Sequence, residues 1–160
     1  EIIRTSVRKY ARQFIAKKIS LSYEPVERTV ITDKKWLSFV IEQVISNAVK
    51  YTKTGGIKIY LEDGDGTMSV PVQKASHRKE DDGENSGMKS VCLVIEDTGI
   101  GIRAEDLPRI CEMGYTGCNG HEGQHSSGIG LYLCSRILKK LGHTFSITSK
   151  EGVGTVVKIG

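Results

Sequence analysis

Residues 94–102 read VIEDTGIGI: an apolar, β-branched run ends in a carboxylate at Asp97, and glycines follow at positions 99 and 101. Gly99-Ile-Gly101-Ile-Arg-Ala104 fits the spacing G-x-G-x-x-A of a dinucleotide-binding turn, and the strand before it supports that. The context excludes it. Pro108 arrives too soon for a crossover helix, and no acidic residue closes a second strand about 20 positions later. A carboxylate at a strand end can instead accept a hydrogen bond from an exocyclic amine such as adenine N6, with Gly99 and Gly101 letting the backbone pass close to a flat ring. An ordinary Asp-Thr-Gly turn accounts for the same residues.

Working outward, "IKIYLE" and "SVCLVIED" carry the composition of two strands. Between them, residues 62–89 are polar and rich in Gly, Asp and Lys, far too long for a hairpin loop, and are expected to form a flexible insertion. Upstream, Ile3, Val7, Tyr10 and Phe14 recur at helical spacing to about Lys18. "ISLSYEP" and "RTVIT" suggest two short strands around Pro25. Asp33 is placed to cap a helix ending near Tyr51, with Trp36, Leu37, Val40, Ile41, Val44, Ile45 and Ala48 as its apolar stripe. Downstream, a glycine-rich stretch over residues 108–130 leads into the helix "LYLCSRILKKLG", and "HTFSITS" and "GTVVKI" close the chain as a hairpin. Without regular βαβ alternation, a doubly wound parallel sheet is not expected.

A chain of 160 residues with 38% hydrophobic content supports one core, hence one domain over residues 1–160. The net charge of +4 arises from interleaved basic and acidic residues, which does not argue for nucleic acid. No apolar run approaches the ~20 residues that span a bilayer. The four cysteines, Cys92, Cys111, Cys118 and Cys134, form no CxxC pair, which fits a reducing cytosol.

Two further clusters carry chemistry. At about 100° per residue, Gln43, Asn47, Lys50 and Tyr51 share one side of the helix that starts at Asp33. An amide oxygen can ligand Mg²⁺ and a lysine one turn on can reach phosphate; a plain solvated helix face would look the same. In "HSSGIGLYL", Gly128 and Gly130 precede a helix whose first N–H groups suit an anion, though no P-loop lysine is present.

Together, N-x-x-K-Y on a helix, D-x-G-x-G after a strand and G-x-G-L opening a helix resemble, in order and spacing, the N, G1 and G2 boxes of sensor histidine kinase catalytic domains. These belong to the superfamily that includes gyrase, the HSP90 chaperones and MutL. The resemblance covers nearly the whole chain. It implies a Bergerat-type α/β (α+β) two-layer sandwich: a mixed sheet of about five strands, covered on one face by about three helices, with a flexible ATP lid over residues 108–130. It further implies that Asn47 holds Mg²⁺, that Lys50 meets phosphate, that Tyr51 packs near the nucleotide and that Asp97 reads adenine. Asn47 and Lys50 would be the catalytic pair. Gly99, Ile100, Gly101, Ile102, Tyr115, Ser127, Gly128, Ile129, Gly130 and Leu131 would complete the ATP site.

The implied activity is transfer of the ATP γ-phosphate to a histidine on a dimerisation domain of the same protein, and from there to a response regulator. The domain would be cytoplasmic, in a homodimer anchored in the cell membrane, with no nucleic-acid partner. "GYTGCNG" and "SSGIGLYL" are similar to the intramembrane-sensing kinases that work beside peptide-antibiotic transporters. Two departures qualify this. Gln43 stands where hydrolysing members carry a water-activating glutamate, and Glu42 points roughly 140° from Asn47 on an ideal helix; that favours kinase over ATPase. Cys111 replaces a usual phenylalanine, with Tyr115 a substitute aromatic, which leaves open a degenerate nucleotide-binding module. His77, His121, His125 and His143 lack the setting of a phosphoacceptor, which belongs on a helical stem. A zinc site from Cys118, His121 and His125 and a calcium loop at Asp63 are both disfavoured.

Overall fold

Apolar side chains at period 2 and period 3.6 have to share one interior, and a computed structural model describing residues 1–24, 28–63, 91–117 and 127–160 shows how they do so. In chain order the elements are α1 (Ile2–Lys17), β1 (Ser20–Tyr23), α2 (Lys34–Tyr51), β2 (Gly56–Asp63), β3 (Val91–Asp97), α3 (Gly130–Leu141), β4 (Phe145–Lys150) and β5 (Gly154–Ile159). The five strands form one mixed sheet in the order β1-β2-β3-β5-β4, parallel between β1 and β2 and antiparallel elsewhere. One face meets the helices. Ile57, Ile59, Leu93, Ile95, Val157 and Ile159 pack there against Phe14 of α1, Val40 to Val49 of α2, and Cys134 and Leu138 of α3. The expected two-layer sandwich is the one observed.

Asp33 caps α2 as expected, its Oδ1 accepting from the N–H groups of Lys35 at 2.9 Å and Trp36 at 3.1 Å. The buried side of α2 begins at Val40, however, and Trp36 keeps 48% of its surface in solvent. On an ideal helix Trp36 lies about 120° from Ala48, near the centre of that buried side. The buried side is therefore rotated from the stripe that spacing alone suggested, losing Trp36 and gaining Val49. A second expectation fails at residues 28–32, which form no strand; Val30 and Ile31 are exposed. They pair with no strand of the sheet, and β-branched composition without such pairing does not make a strand. β2 runs on through Asp63, so Glu62 and Asp63 belong to the strand and not to the insertion; residues 64–90 lie outside the described residues.

On the opposite face of the sheet, Val94 is fully buried between its register partners Tyr60 and Lys158, and Lys158 is ion-paired to Glu62. Central strand β3 is thus covered on both sides, which fixes its register.

α1 ends at Lys18, the one non-glycine with positive φ (55°) among the described residues. Its N–H bonds to Ile15 O at 3.1 Å, and the N–H of Ile19 bonds to Phe14 O at 3.0 Å, so the left-handed turn satisfies the helix end and drops the chain into β1. A side chain in that conformation costs about 1 kcal/mol or more. Lys18→Gly should therefore raise the free energy of unfolding by about 0.5–1 kcal/mol in urea denaturation; a loss of stability would show that the lysine side chain has a role beyond the turn.

Candidate functional site

Asp97 is the last residue of β3, paired with Ile57 on one side and Thr155 on the other. Its Oδ1 accepts the N–H of Gly99 at 2.8 Å, and the carboxylate also accepts the N–H of Thr155. The turn and the pocket acceptor, set against each other in the sequence, are thus compatible. A carboxylate has about four acceptor sites, so capacity remains for a donor arriving through the cavity it lines. Burial pushes the Asp97 carboxyl above its ordinary range, and the two N–H donors pull it partly back.

The two glycines after Asp97 are also packing positions. A Cβ at Gly99 would lie 2.7 Å from the carbonyl oxygen of Tyr51, and one at Gly101 (φ 68°) 2.1 Å from that of Lys150. The chain here threads between the end of α2 and the β4–β5 turn. It is held by Ile100 N–H to Tyr51 O at 3.2 Å and Gly152 N–H to Ile100 O at 2.8 Å. The close approach is backbone to backbone: Gly99 and Ile100 face the protein, while Gly101 and Ile102 reach the cavity.

That cavity has a volume of about 330 Å³, within the range of small-molecule sites. α2 supplies Gln43, Asn47, Lys50 and Tyr51 to its wall; Ser127 and Gly128 come from just before α3, and Gly130 and Leu131 from its start; Tyr115 comes from the segment after β3. Of the residues singled out from the sequence, Gly99, Ile100 and Ile129 are absent from the lining. Gln43 Nε2 donates to Asn47 Oδ1 at 3.4 Å, a long bond that orients the amide. Lys50 Nζ sits 5.2 Å from the centre of the Tyr51 ring. Glu42 turns outward and pairs with Lys9 at 2.6 Å, away from this wall.

α3 starts at the cavity rim, and among the described residues no side chain caps it; the N–H groups of such a first turn suit an anion. A Cβ at Gly130 would meet Gln43 Nε2 at 2.6 Å, so the absence of a side chain lets α3 start directly against α2. The loop before α3 is pinched at its base, where the N–H of Gly114 bonds to Gly128 O at 3.0 Å. Residues 118–126 of the expected lid, with Cys118, His121 and His125, lie outside the described residues, as does His77.

Several supporting residues escaped the sequence reading. Gly154 (φ 144°) would place a Cβ 1.9 Å from Asp97 O, so only glycine lets β5 pass the end of β3. "EGVGT" carried that signal in its second glycine. Asp106 is buried and accepts the Tyr115 hydroxyl at 2.5 Å, while the Arg109 guanidinium covers the Tyr115 ring at 4.3 Å. Tyr115 is thereby fixed in the cavity wall, whereas Cys111 does not reach it. Burial raises the Cys111 thiol, and burial with Cys111 nearby pushes Cys134 up to about 12, so neither is a ready thiolate.

Residues 32–160 match the family described as histidine kinase-, DNA gyrase B- and HSP90-like ATPase. The chain belongs to that family. Among curated members it is 33% identical over 162 residues to the sensor histidine kinase YxdK of Bacillus subtilis, covering 99% of this chain and 42% of the relative. It is 34% identical over 134 residues to the sensor protein kinase GraS of Staphylococcus aureus, covering 84% of this chain and 32% of that protein. The chain therefore spans less than half the length of these relatives. Similar folds occur in the mycobacterial sensor histidine kinase MprB (TM-score 0.71, 20% identity, 99% of this chain and 91% of the other). Full-length ShkA, solved in complex with AMPPNP, gives the same TM-score of 0.71 at 20% identity, covering 99% of this chain and 28% of the other. No helix among the described residues is long and apolar enough to cross a membrane.

Because the fold disfavours the charged form of Asp97, that carboxylate weakens the ligand-free domain at neutral pH. Asp97→Asn keeps an acceptor for the Gly99 N–H and removes the buried charge. It should melt at or above the wild-type temperature at pH 7, and the gap should close below pH 3.8, the ordinary aspartate value. A variant that melts lower at pH 7 would mean that the charge is paired by a group the geometry does not show.

Proposed function

We propose that this domain binds MgATP and presents its γ-phosphate to a histidine on the dimerisation stem of the same protein, from which a response regulator takes the phosphoryl group. The observation that carries this is the lining of one cavity, which brings together a desolvated carboxylate, an amide, a lysine and the start of α3, whose first residue has no side-chain cap. Asp97 accepts the adenine N6 amine. Lys50 and the N–H groups that open α3 meet the phosphates. The named activity of YxdK and GraS and the AMPPNP complex of ShkA support the same ligand and reaction.

The donor set fits Mg²⁺ bound together with a nucleotide. Asn47 offers one hard oxygen, and among the described residues no group of three or more His, Cys, Asp or Glu converges to hold a metal alone. Mg²⁺ commonly takes one or two protein oxygens and completes its shell with phosphate and water. When bound it would neutralise phosphate charge, while the chain's own contribution is to orient the triphosphate and exclude water. Gln43 cannot act as a base and Glu42 is turned away toward Lys9, so transfer to a histidine is favoured over hydrolysis. Tyr115, held by Asp106 and Arg109, supplies the aromatic wall that Cys111 lacks, which favours an active kinase over a degenerate binding module. The intact protein is a membrane-anchored homodimer, and the local likeness to transporter-linked kinases makes a peptide-antibiotic transporter its partner for sensing.

Calorimetric titration checks the site. The wild type should bind MgATP and prefer it to MgGTP by about 100-fold or more, since guanine sets a carbonyl against Asp97. Asn47→Ala should abolish the gain in affinity that Mg²⁺ provides. Equal affinity for the two nucleotides would remove Asp97 as the base reader. In a chain extended by its stem, acid-labile phosphohistidine formed from ATP tests the reaction; steady phosphate release without it would make the protein an ATPase.

A further inference from the structure

The last carbonyls of an α-helix have no partner within the helix and must be satisfied from outside. At the end of α2 every one of them can be accounted for. Ala48 O accepts the N–H of Thr52 at 3.0 Å, and Tyr51 O accepts the N–H of Ile100 at 3.2 Å. The other three converge on one side chain from a different element: Lys17 Nζ donates to Val49 O at 2.6 Å, to Lys50 O at 3.1 Å and to Thr52 O at 3.3 Å. An ammonium has three donors, so these bonds use its full capacity. Its charge also lies where the dipole of α2 is negative. Thr52 is fully buried, which makes an unsatisfied carbonyl there expensive.

This turn is the one that carries Asn47, Lys50 and Tyr51 into the cavity. The two elements that hold it are the loop after Asp97, through Ile100, and α1, through Lys17. The first also supports the base-binding end. The second touches only the phosphate-binding end, and α1 itself contributes nothing to the cavity wall.

We propose that Lys17 is a positioning residue for the metal-dependent part of nucleotide binding: it fixes the C-terminal turn of α2 and so makes the seating of α1 an input to Asn47 and Lys50. This rests on the nucleotide reading above. Removing the ammonium frees the turn without disturbing Asp97. MgATP affinity falls, and affinity for ATP in excess EDTA, which depends on the base end, does not.

The experiment uses Lys17→Met and Lys17→Arg in the whole domain, with two readouts. Amide hydrogen exchange on the ligand-free protein should show faster exchange at Thr52 in Lys17→Met, with Ile100, β5 and α3 unchanged. Calorimetry should show MgATP binding about 10-fold weaker and ATP in EDTA within about 2-fold, with Lys17→Arg restoring most of the loss. Unchanged exchange, or an equal loss of both affinities, overturns the proposal, the latter because it marks general loosening. If Lys17→Met does not fold, Lys17→Arg decides: unaltered exchange with a 10-fold loss of MgATP affinity overturns it, and retention of both supports it. If the wild type binds no MgATP, the nucleotide reading has failed, and hydrogen exchange alone decides whether Lys17 holds the turn.

Discussion

One hydrogen bond joins the two halves of the site, from the N–H of Ile100 to the carbonyl of Tyr51 at 3.2 Å. It exists only because Gly99 has no side chain; a Cβ would sit 2.7 Å from the same carbonyl oxygen. Through this contact the end of β3, which delivers Asp97, is locked to the end of α2, which delivers Asn47, Lys50 and Tyr51. The sheet supplies one part of the cavity wall and the helix layer another, and the cavity is the space where they meet. Apolar burial between the layers sets how far apart they lie, but this backbone bond fixes how they are aligned.

The same economy recurs around the site. Gly101 lies against Lys150, Gly154 against Asp97, Gly128 against Gly114 and Gly130 against Gln43. Each glycine removes a side chain where two pieces of protein must touch, so glycines that look like a ligand-binding signature are first a packing requirement. The cavity is a consequence of that packing: backbone pushed together on its outside leaves a concave surface lined by the remaining polar groups.

Much of this was legible in the sequence because it depends on local spacing. Asp33 as a cap, the helix to Tyr51, the strand ending at Asp97 and the final hairpin follow from periodicity and punctuation, and the order of three short motifs identified the fold. What was hidden depends on contacts between distant segments. Trp36 fits a helical stripe, yet which side of the helix is buried depends on the strands that lie beneath it. Residues 28–32 carry strand composition but meet no edge. Asp106 and Tyr115 are nine residues apart in an irregular segment and pair only through its folding. Lys17 looks like one more charge in a basic helix, and its three carbonyl partners are more than thirty residues away.

The central claim is that one cavity, between α2, the end of β3 and the start of α3, receives MgATP. Titrating the ¹⁵N-labelled domain with MgATP and following backbone amide shifts tests it most directly. The largest changes are expected at residues 47–51, 97–102 and 128–131, and none at Lys58 and Lys158 on the far side of the sheet. Changes centred on that far side, or no saturable change at all, would contradict it.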